Sequence, residues 1–375
     1  MTKQIVSPNA APRLELDGVA RRFGDVYAVD GVSLSIAQGE VLCLLGPSGC
    51  GKSTTLRIAA GVERQDKGEV RVDGRLVSGD GLHEPPEQRS VGMMFQEFAL
   101  FPHLTALENV AFGLRGKGGY ERRARAQAEL ERVGLASAAA RYPHQLSGGE
   151  QQRVALARAV ATQPSVLLMD EPFSSLDHRL RDAVRDEALA LLKDVGAGVL
   201  LVTHDPEEAM RMADRIALMR KGRIVQIGAP YYVYNHPLDR AAAAFFSDLN
   251  VIHGVVRQAQ TETPFGRFLT PGMADGTDVE VIVRPQHLKI DIGPRPPRES
   301  AETGSAARGR VARARFIGGH SLIETRMEHD GSVLLASTPG AFLPEPGSPL
   351  WLSLRRDRCH VFPCGKQRRD PSRDE

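Results

Sequence analysis

Glu40-Val41-Leu42-Cys43-Leu44-Leu45-Gly46-Pro47-Ser48-Gly49-Cys50-Gly51-Lys52-Ser53 is the stretch whose reading decides the fold. Its first half is an apolar run suited to a short buried parallel strand, and residues 53–60 read as a helix. Between them stands GxxxxGKS, a phosphate-loop pattern in the strand–turn–helix setting that gives it meaning. The glycines let successive backbone N–H groups turn inward around phosphate oxygens, and the helix that follows adds the positive end of its dipole. In this reading Gly46, Pro47, Ser48, Gly49, Cys50, Gly51 and Thr54 line a nucleotide. Lys52 reaches its β- and γ-phosphates, and the Ser53 hydroxyl ligates Mg2+. A glycine-rich turn that merely ends in lysine is the competing interpretation, and the full spacing disfavours it.

Four more motifs follow in order. Residues 90–95 read as a strand ending at Gln96. Leu146-Ser147-Gly148-Gly149-Glu150 fits the S-x-x-E capping box, with Ser147 as N-cap of the helix that continues through Gln151, Gln152 and Arg153. The apolar run Val166-Leu167-Leu168-Met169 delivers Asp170 and Glu171, and Val199-Leu200-Leu201-Val202-Thr203 delivers His204. Each is commonplace alone: helices need caps, and acids at a strand end are often solvated.

LSGGEQQR followed by VLLMDEP strongly resembles the ATP-binding cassette family, over about residues 13–240. The resemblance implies an α/β P-loop ATPase cassette with an inserted helical lid, using ATP and Mg2+ and working as a homodimer. Ser147, Gly148, Gly149 and Glu150 of one subunit would face the γ-phosphate held by the other subunit's Lys52, a task suited to the bare N–H groups of a helix start. By the same resemblance Asp170 contacts Mg2+ through water and Glu171 polarises the attacking water. His204 contacts the γ-phosphate and orients that water, and Gln96 senses Mg2+ and water. Asp177, in Ser174-Ser175-Leu176-Asp177, matches the segment that crosses the dimer interface, although Ser175 stands where alanine is common. Phe23 resembles the aromatic that stacks on adenine, and Tyr27 competes with it. Cys50, beside Lys52 and the phosphate-binding N–H groups, is expected to favour its thiolate, against the alternative of an inert residue filling the turn.

Length and composition agree. At 375 residues the chain has room for about two or three domains. Its hydrophobic fraction of 42% and charged fraction of 25% are those of a soluble globular protein, and a net charge of +2 makes no electrostatic case for nucleic acid. No apolar stretch approaches the roughly 18 residues of a membrane span, and the first twelve residues lack the apolar core of a signal peptide. The expected place is the cytoplasmic face of the inner membrane, held peripherally. Of the four cysteines, Cys359 and Cys364 lie five positions apart with no second ligand pair nearby, so reduced thiols are expected rather than zinc or a disulfide.

The segment Gln96-Glu97-Phe98-Ala99-Leu100-Phe101-Pro102-His103-Leu104-Thr105 closely resembles the importer group of the family, where it helps form the groove for a cytoplasmic helix of the membrane subunit. That resemblance implies two membrane-spanning permease subunits, an extracytoplasmic solute-binding protein, and a lid at about 107–145 whose posture follows the nucleotide at Gln96. A cassette is expected over 13–245. Over 246–375 short alternating segments suggest a small all-β barrel of the oligonucleotide/oligosaccharide-binding type, resembling the TOBE-type accessory domain of such importers. Asp330-Gly331 reads as its hairpin turn and 293–309 as a loose loop. Aromatics for stacking bases are sparse there, so dimer contact or regulation is expected. The whole chain most resembles ferric iron importer ATPases, with polyamine, thiamine, phosphonate or oxyanion import as alternatives. A soluble cassette acting on DNA or ribosomes is the reading from a different class.

Overall fold

A computed structural model describes residues 11–114, 118–174, 178–298, 300 and 302–364, which form two compact units, one ending at His236 and the other starting at Pro237. The first unit is built on two sheets. One is antiparallel, in the order β2 (Val26–Ile36), β1 (Leu14–Phe23), β4 (Lys67–Val72), β5 (Arg75–Gly79), β6 (Leu82–His83). The other runs β11 (Arg223–Gly228), β10 (Arg215–Arg220), β3 (Val41–Leu45), β9 (Gly198–Thr203), β8 (Val166–Asp170), β7 (Val91–Met94). All its pairings are parallel except that of edge strand β11. Strands β3, β8 and β9 are buried at every residue, because a parallel sheet covered on both faces needs continuous apolar runs rather than alternation.

Helix α1 (Lys52–Ala60) follows β3 and places Leu56, Ile58, Ala59 and Ala60 in one core with residues of both sheets. It stops at Gly61, whose φ of +82° supports the reverse turn and whose N–H returns to the Arg57 and Ile58 carbonyls. The same end is held from outside by Arg89, which lies just before β7. Its Nε donates to the Glu84 carbonyl and its Nη1 to those of Ile58 and Ala59. Burial pushes the Arg89 guanidinium down to about 10, with Glu84 opposing.

Between β7 and β8 lie α2 (Ala106–Phe112), α3 (Gly119–Arg132) and α4 (Gly148–Ala161). They have a core of their own: Ala106, Val110, Ala126, Leu130, Val154 and Ala157 pack together away from the sheets. Two capping boxes of the same design start α2 and α4, Thr105 with Glu108 and Ser147 with Glu150. Helices α5 (His178–Val195), α6 (Pro206–Met212) and α7 (Pro230–Asn235) complete the unit.

The second unit opens with α8 (Arg240–Phe246) and continues as ten strands: β12 (Asn250–Arg257), β13 (Gln260–Thr263), β14 (Gly266–Leu269), β15 (Asp278–Val283), β16 (Leu288–Asp291), β17 (Ala307–Phe316), β18 (His320–Met327), β19 (Val333–Pro339), β20 (Pro349–Leu354) and β21 (His360–Pro363). They form two five-stranded sheets, β14-β13-β12-β15-β21 and β16-β20-β17-β18-β19, around one core that includes Phe265, Val281, Ile323 and Leu352. The Asn250 amide joins them, giving one bond to the Leu335 carbonyl and taking one from its N–H, as a strand neighbour would. This is the all-β barrel expected. The expected loose loop 293–309 differs at its end, since β17 begins at Ala307. Small residues there hid a strand that needs only alternate burial. Among the described residues no helix is long and apolar enough to cross a membrane.

Candidate functional site

The C-terminal ends of β3, β9, β8 and β7 lie side by side, and the predicted phosphate-handling residues of the sheet follow them directly. This is where ligands bind in open α/β sheets. Loop 46–51 leaves β3 with Pro47, Ser48 and Gly49 exposed and Gly46 buried. A Cβ on Gly46 would lie 2.3 Å from the Met219 carbonyl oxygen. At Gly51, φ is +107° and a Cβ would lie 2.0 Å from the Ala28 carbonyl oxygen, so only glycine brings the loop this close to β2. Lys52 is buried, and its Nζ donates to the carbonyls of Gly46 (2.7 Å) and Pro47 (3.1 Å). An ammonium has three N–H donors, so one is left for a phosphate oxygen. Thr54 sits half-buried in the first turn of α1.

The Ser53 hydroxyl donates to Asp170 at 3.0 Å, across 117 positions of sequence. Burial raises the Asp170 carboxyl, against the Ser53 hydrogen bond and with help from neighbouring Glu171. Two adjacent hard oxygen donors, one a carboxylate short of positive charge, fit Mg2+. Glu171 stands at φ +45°, a left-handed conformation that costs a glutamate of the order of 1–3 kcal/mol. It is held there by its own N–H on the Val202 carbonyl (2.9 Å) and by the Ser174 hydroxyl on its carbonyl (2.9 Å). The turn aims its carboxylate at His204, whose Nδ1 lies 2.9 Å from Oε2. Gln96 follows β7 by two residues, exposed, beside the Asp170 end of β8.

At the start of α4 the Ser147 hydroxyl accepts from the Glu150 N–H (3.4 Å), while Glu150 accepts from the Ser147 N–H and hydroxyl, both at 2.8 Å. Those bonds, the Ser147 N–H first, hold the Glu150 carboxyl below its ordinary value. Ser147 and Gly148 are exposed, which leaves a helix start open to solvent. Phe23 and Tyr27 are about equally exposed near the tip of the β1–β2 hairpin. Arg21 covers the Phe23 ring at 4.7 Å and Arg22 the Tyr27 ring at 5.6 Å. Tyr27 adjoins Ala28, the residue against Gly51. Asp177 lies outside the described residues.

One expectation is corrected. Cys50 is 4% exposed, and burial raises its thiol in spite of Lys52 and the surrounding N–H groups. The sulfur points into the loop's base, 2.8 Å from where a Gly46 Cβ would stand, so it fills the turn and the thiolate is disfavoured.

Sequence reasoning missed the residues that hold this edge in place. Arg158 of α4 donates to the carbonyls of Phe98 (2.8 Å) and Ala99 (2.7 Å), and Asn109 of α2 bonds the backbone of Phe101, Leu104 and Thr105. Arg185 of α5 bonds Asp205 at 2.6 Å, just after His204, while Asp205 caps α6 through the Glu207 and Glu208 N–H groups. Only that last device left a sequence signal, an Asp-Pro helix start.

A phosphate loop, two strand-end carboxylates and a histidine on a parallel sheet, with a separate helical subdomain, define a P-loop ATPase cassette. Residues 29–174 match the ABC transporter family, and residues 281–362 match the TOBE domain. The chain is 40% identical over 355 residues to the putrescine transport ATP-binding protein PotG of Escherichia coli, covering 91% of each. It is 39% identical over 374 residues to the spermidine/putrescine import ATP-binding protein PotA of Thermobifida fusca, covering 95% of each. With the sulfate/thiosulfate import ATP-binding protein CysA 2 of Chromobacterium violaceum it shares 43% over 282 residues, 74% of this chain and 75% of that one. A dimeric, post-hydrolysis structure of the ATP-binding cassette MJ0796 bound to ADP and Pi superposes with TM-score 0.51 at 35% identity, covering 58% of this chain and 98% of that one. The chain belongs to the ABC transporter family, as an ATPase subunit with a C-terminal TOBE domain.

Proposed function

We propose that this chain is the energy-coupling ATPase of a binding-protein-dependent importer for polyamines of the putrescine and spermidine type. The observation that carries the cargo is similarity over more than nine-tenths of the chain to a putrescine transport and a spermidine/putrescine import ATP-binding protein. The preference for ferric iron drawn from the sequence has no support among these relatives, and an oxyanion such as sulfate is the second reading, favoured by the similarity to CysA 2. Two copies would sit beneath two permease subunits on the cytoplasmic face of the membrane, with a solute-binding protein outside.

Each copy holds ATP on loop 46–51, with Lys52 on the β- and γ-phosphates and an aromatic of the β1–β2 hairpin on the base. Mg2+, when bound, neutralises phosphate charge, and Ser53, Asp170 and Gln96 are the residues to hold it. Glu171 accepts the proton of the attacking water while His204, fixed by that carboxylate, orients it. The exposed start of α4 presents its unpaired N–H groups to the γ-phosphate on the partner subunit, which makes the two sites composite. The dimeric cassette MJ0796 supports the pairing.

Glu171→Gln keeps the nucleotide contacts and removes the base, so ATPase activity should fall by roughly 10²- to 10⁴-fold while ATP-bound dimers accumulate. Turnover near the wild-type rate would remove Glu171 from that role. For the cargo, disruption of the gene should abolish uptake of labelled putrescine or spermidine. Loss of sulfate or ferric iron uptake with polyamine uptake intact would overturn the cargo and leave the ATPase assignment standing. ATPase activity that fractionates with DNA or ribosomes rather than with a permease would overturn the transport role.

A further inference from the structure

The structure assigns to the C-terminal unit a binding site for a divalent transition metal of the zinc class, formed by His253, Glu280 and Cys364. His253 and Glu280 face each other across β12 and β15, in register. Strand β21 pairs with β15 on its other side, and the chain then turns so that the Cys364 N–H donates to the Asp278 carbonyl at 2.8 Å. Three strands far apart in sequence thus bring an imidazole nitrogen, a carboxylate oxygen and a sulfur within 4.8 Å of one another. Tetrahedral zinc, with bonds of about 2.0–2.3 Å, wants its ligand atoms roughly 3.3–3.8 Å apart. The trio needs to draw in by about an ångström. Rotation of an exposed histidine and a cysteine at a strand end supplies that much.

A cavity of about 380 Å³ opens on His253, Asp278 and Cys364, which leaves a position for water or the Asp278 carboxylate as fourth ligand. The Glu280 and Asp278 carboxylates beside the sulfur supply the negative charge that a divalent cation needs. Arg240 already bonds Glu280 at 2.8 Å, and a purely structural ion pair is the competing account. That account explains the carboxylate and leaves the convergence of thiol and imidazole unexplained. Thiolate and imidazole together select zinc over magnesium or calcium.

Cys359, the other cysteine of the tail, takes no part. Its thiol donates to the Arg355 carbonyl at 3.3 Å and burial pushes it up to about 12. The expectation of no zinc came from looking for a ligand pair close in sequence. The partners of Cys364 are on other strands.

The test uses the full chain, reduced and stripped of metal, titrated with Co2+ and followed by the thiolate-to-cobalt absorption. The band should appear at one equivalent, vanish on adding Zn2+, and resist Mg2+. Cys364→Ser should abolish it, Cys359→Ser should leave it, and His253→Ala should weaken binding by at least about tenfold, the loss expected from removing even an outer partner of a metal site. Circular dichroism checks that the variants fold. No thiolate band in the wild-type protein, or a band that survives Cys364→Ser, overturns the site.

Discussion

Two loops leave the same edge of the parallel sheet and are held by opposite means. Loop 46–51 is fixed by its own backbone: Gly49 and Gly51 take φ of +78° and +107°, and Gly46 and Gly51 have no room for a Cβ. Loop 95–104 has no glycine, yet Phe98 and Ala99 stand at φ +59° and +46°. It is fixed by side chains from outside, Arg158 on one flank and the buried Asn109 amide on the other. A backbone that must bend unaided declares the need in its composition. One that is pinned by distant side chains hides it.

The largest effect should come from Gly51→Ala. Its methyl would overlap the Ala28 carbonyl and sit at a φ that disfavours any side chain, so a loss of about 3 kcal/mol or more and of ATP binding is expected. Denaturant melts and nucleotide titration check it, and a variant that binds ATP normally would break the contrast. Next come Asn109→Ala and Arg158→Ala, which remove side-chain hydrogen bonds from the partly exposed carbonyls of the loop, at about 0.5–3 kcal/mol each. These should loosen loop 95–104 and spare ATP binding by the isolated subunit, which hydrogen exchange and nucleotide titration would separate. Ala99→Gly relieves a left-handed alanine and should change stability by no more than about 1 kcal/mol, in the stabilising direction. A clear loss would show that φ at 99 is not strained. Smallest of all, Cys50→Ala should leave ATPase activity unchanged, because the loop uses its backbone there. In the native wild-type protein N-ethylmaleimide should label Cys50 slowly even without nucleotide, and rapid labelling would restore a reactive thiolate.

The same division explains how much could be seen before the fold was known. Apolar runs such as Val41–Leu45 and Val166–Asp170 announce buried parallel strands, and GxxxxGKS announces what lies between strand and helix. The capping box at Ser147 was equally plain, since both its partners lie within one turn. Burial was not: Cys50 looked like an activated thiol until the closeness of Met219 and Ala28 showed how little solvent reaches the loop's base. Nor could spacing bring Cys364 to His253, because that meeting depends on the register of β12, β15 and β21. Phe23, the aromatic favoured from the sequence, and its competitor Tyr27 are both exposed under an arginine.

Arg89 makes a bridge behind the parallel sheet's edge. Standing two residues before β7, it grips the last turn of α1 through two carbonyls and the Glu84 carbonyl just after β6 through its Nε, while the opposite ends of α1 and β7 carry Lys52 and lead to Gln96. Helix α1 cannot slide along its axis without either dragging the start of β7 or breaking a buried fork of hydrogen bonds. Lysine, with a single point of charge, could not span three acceptors in that geometry. The helix that begins at Lys52 and the strand that leads to Gln96 are therefore yoked from behind, with the His83 imidazole on the Gly61 carbonyl as a second tie at the same helix end.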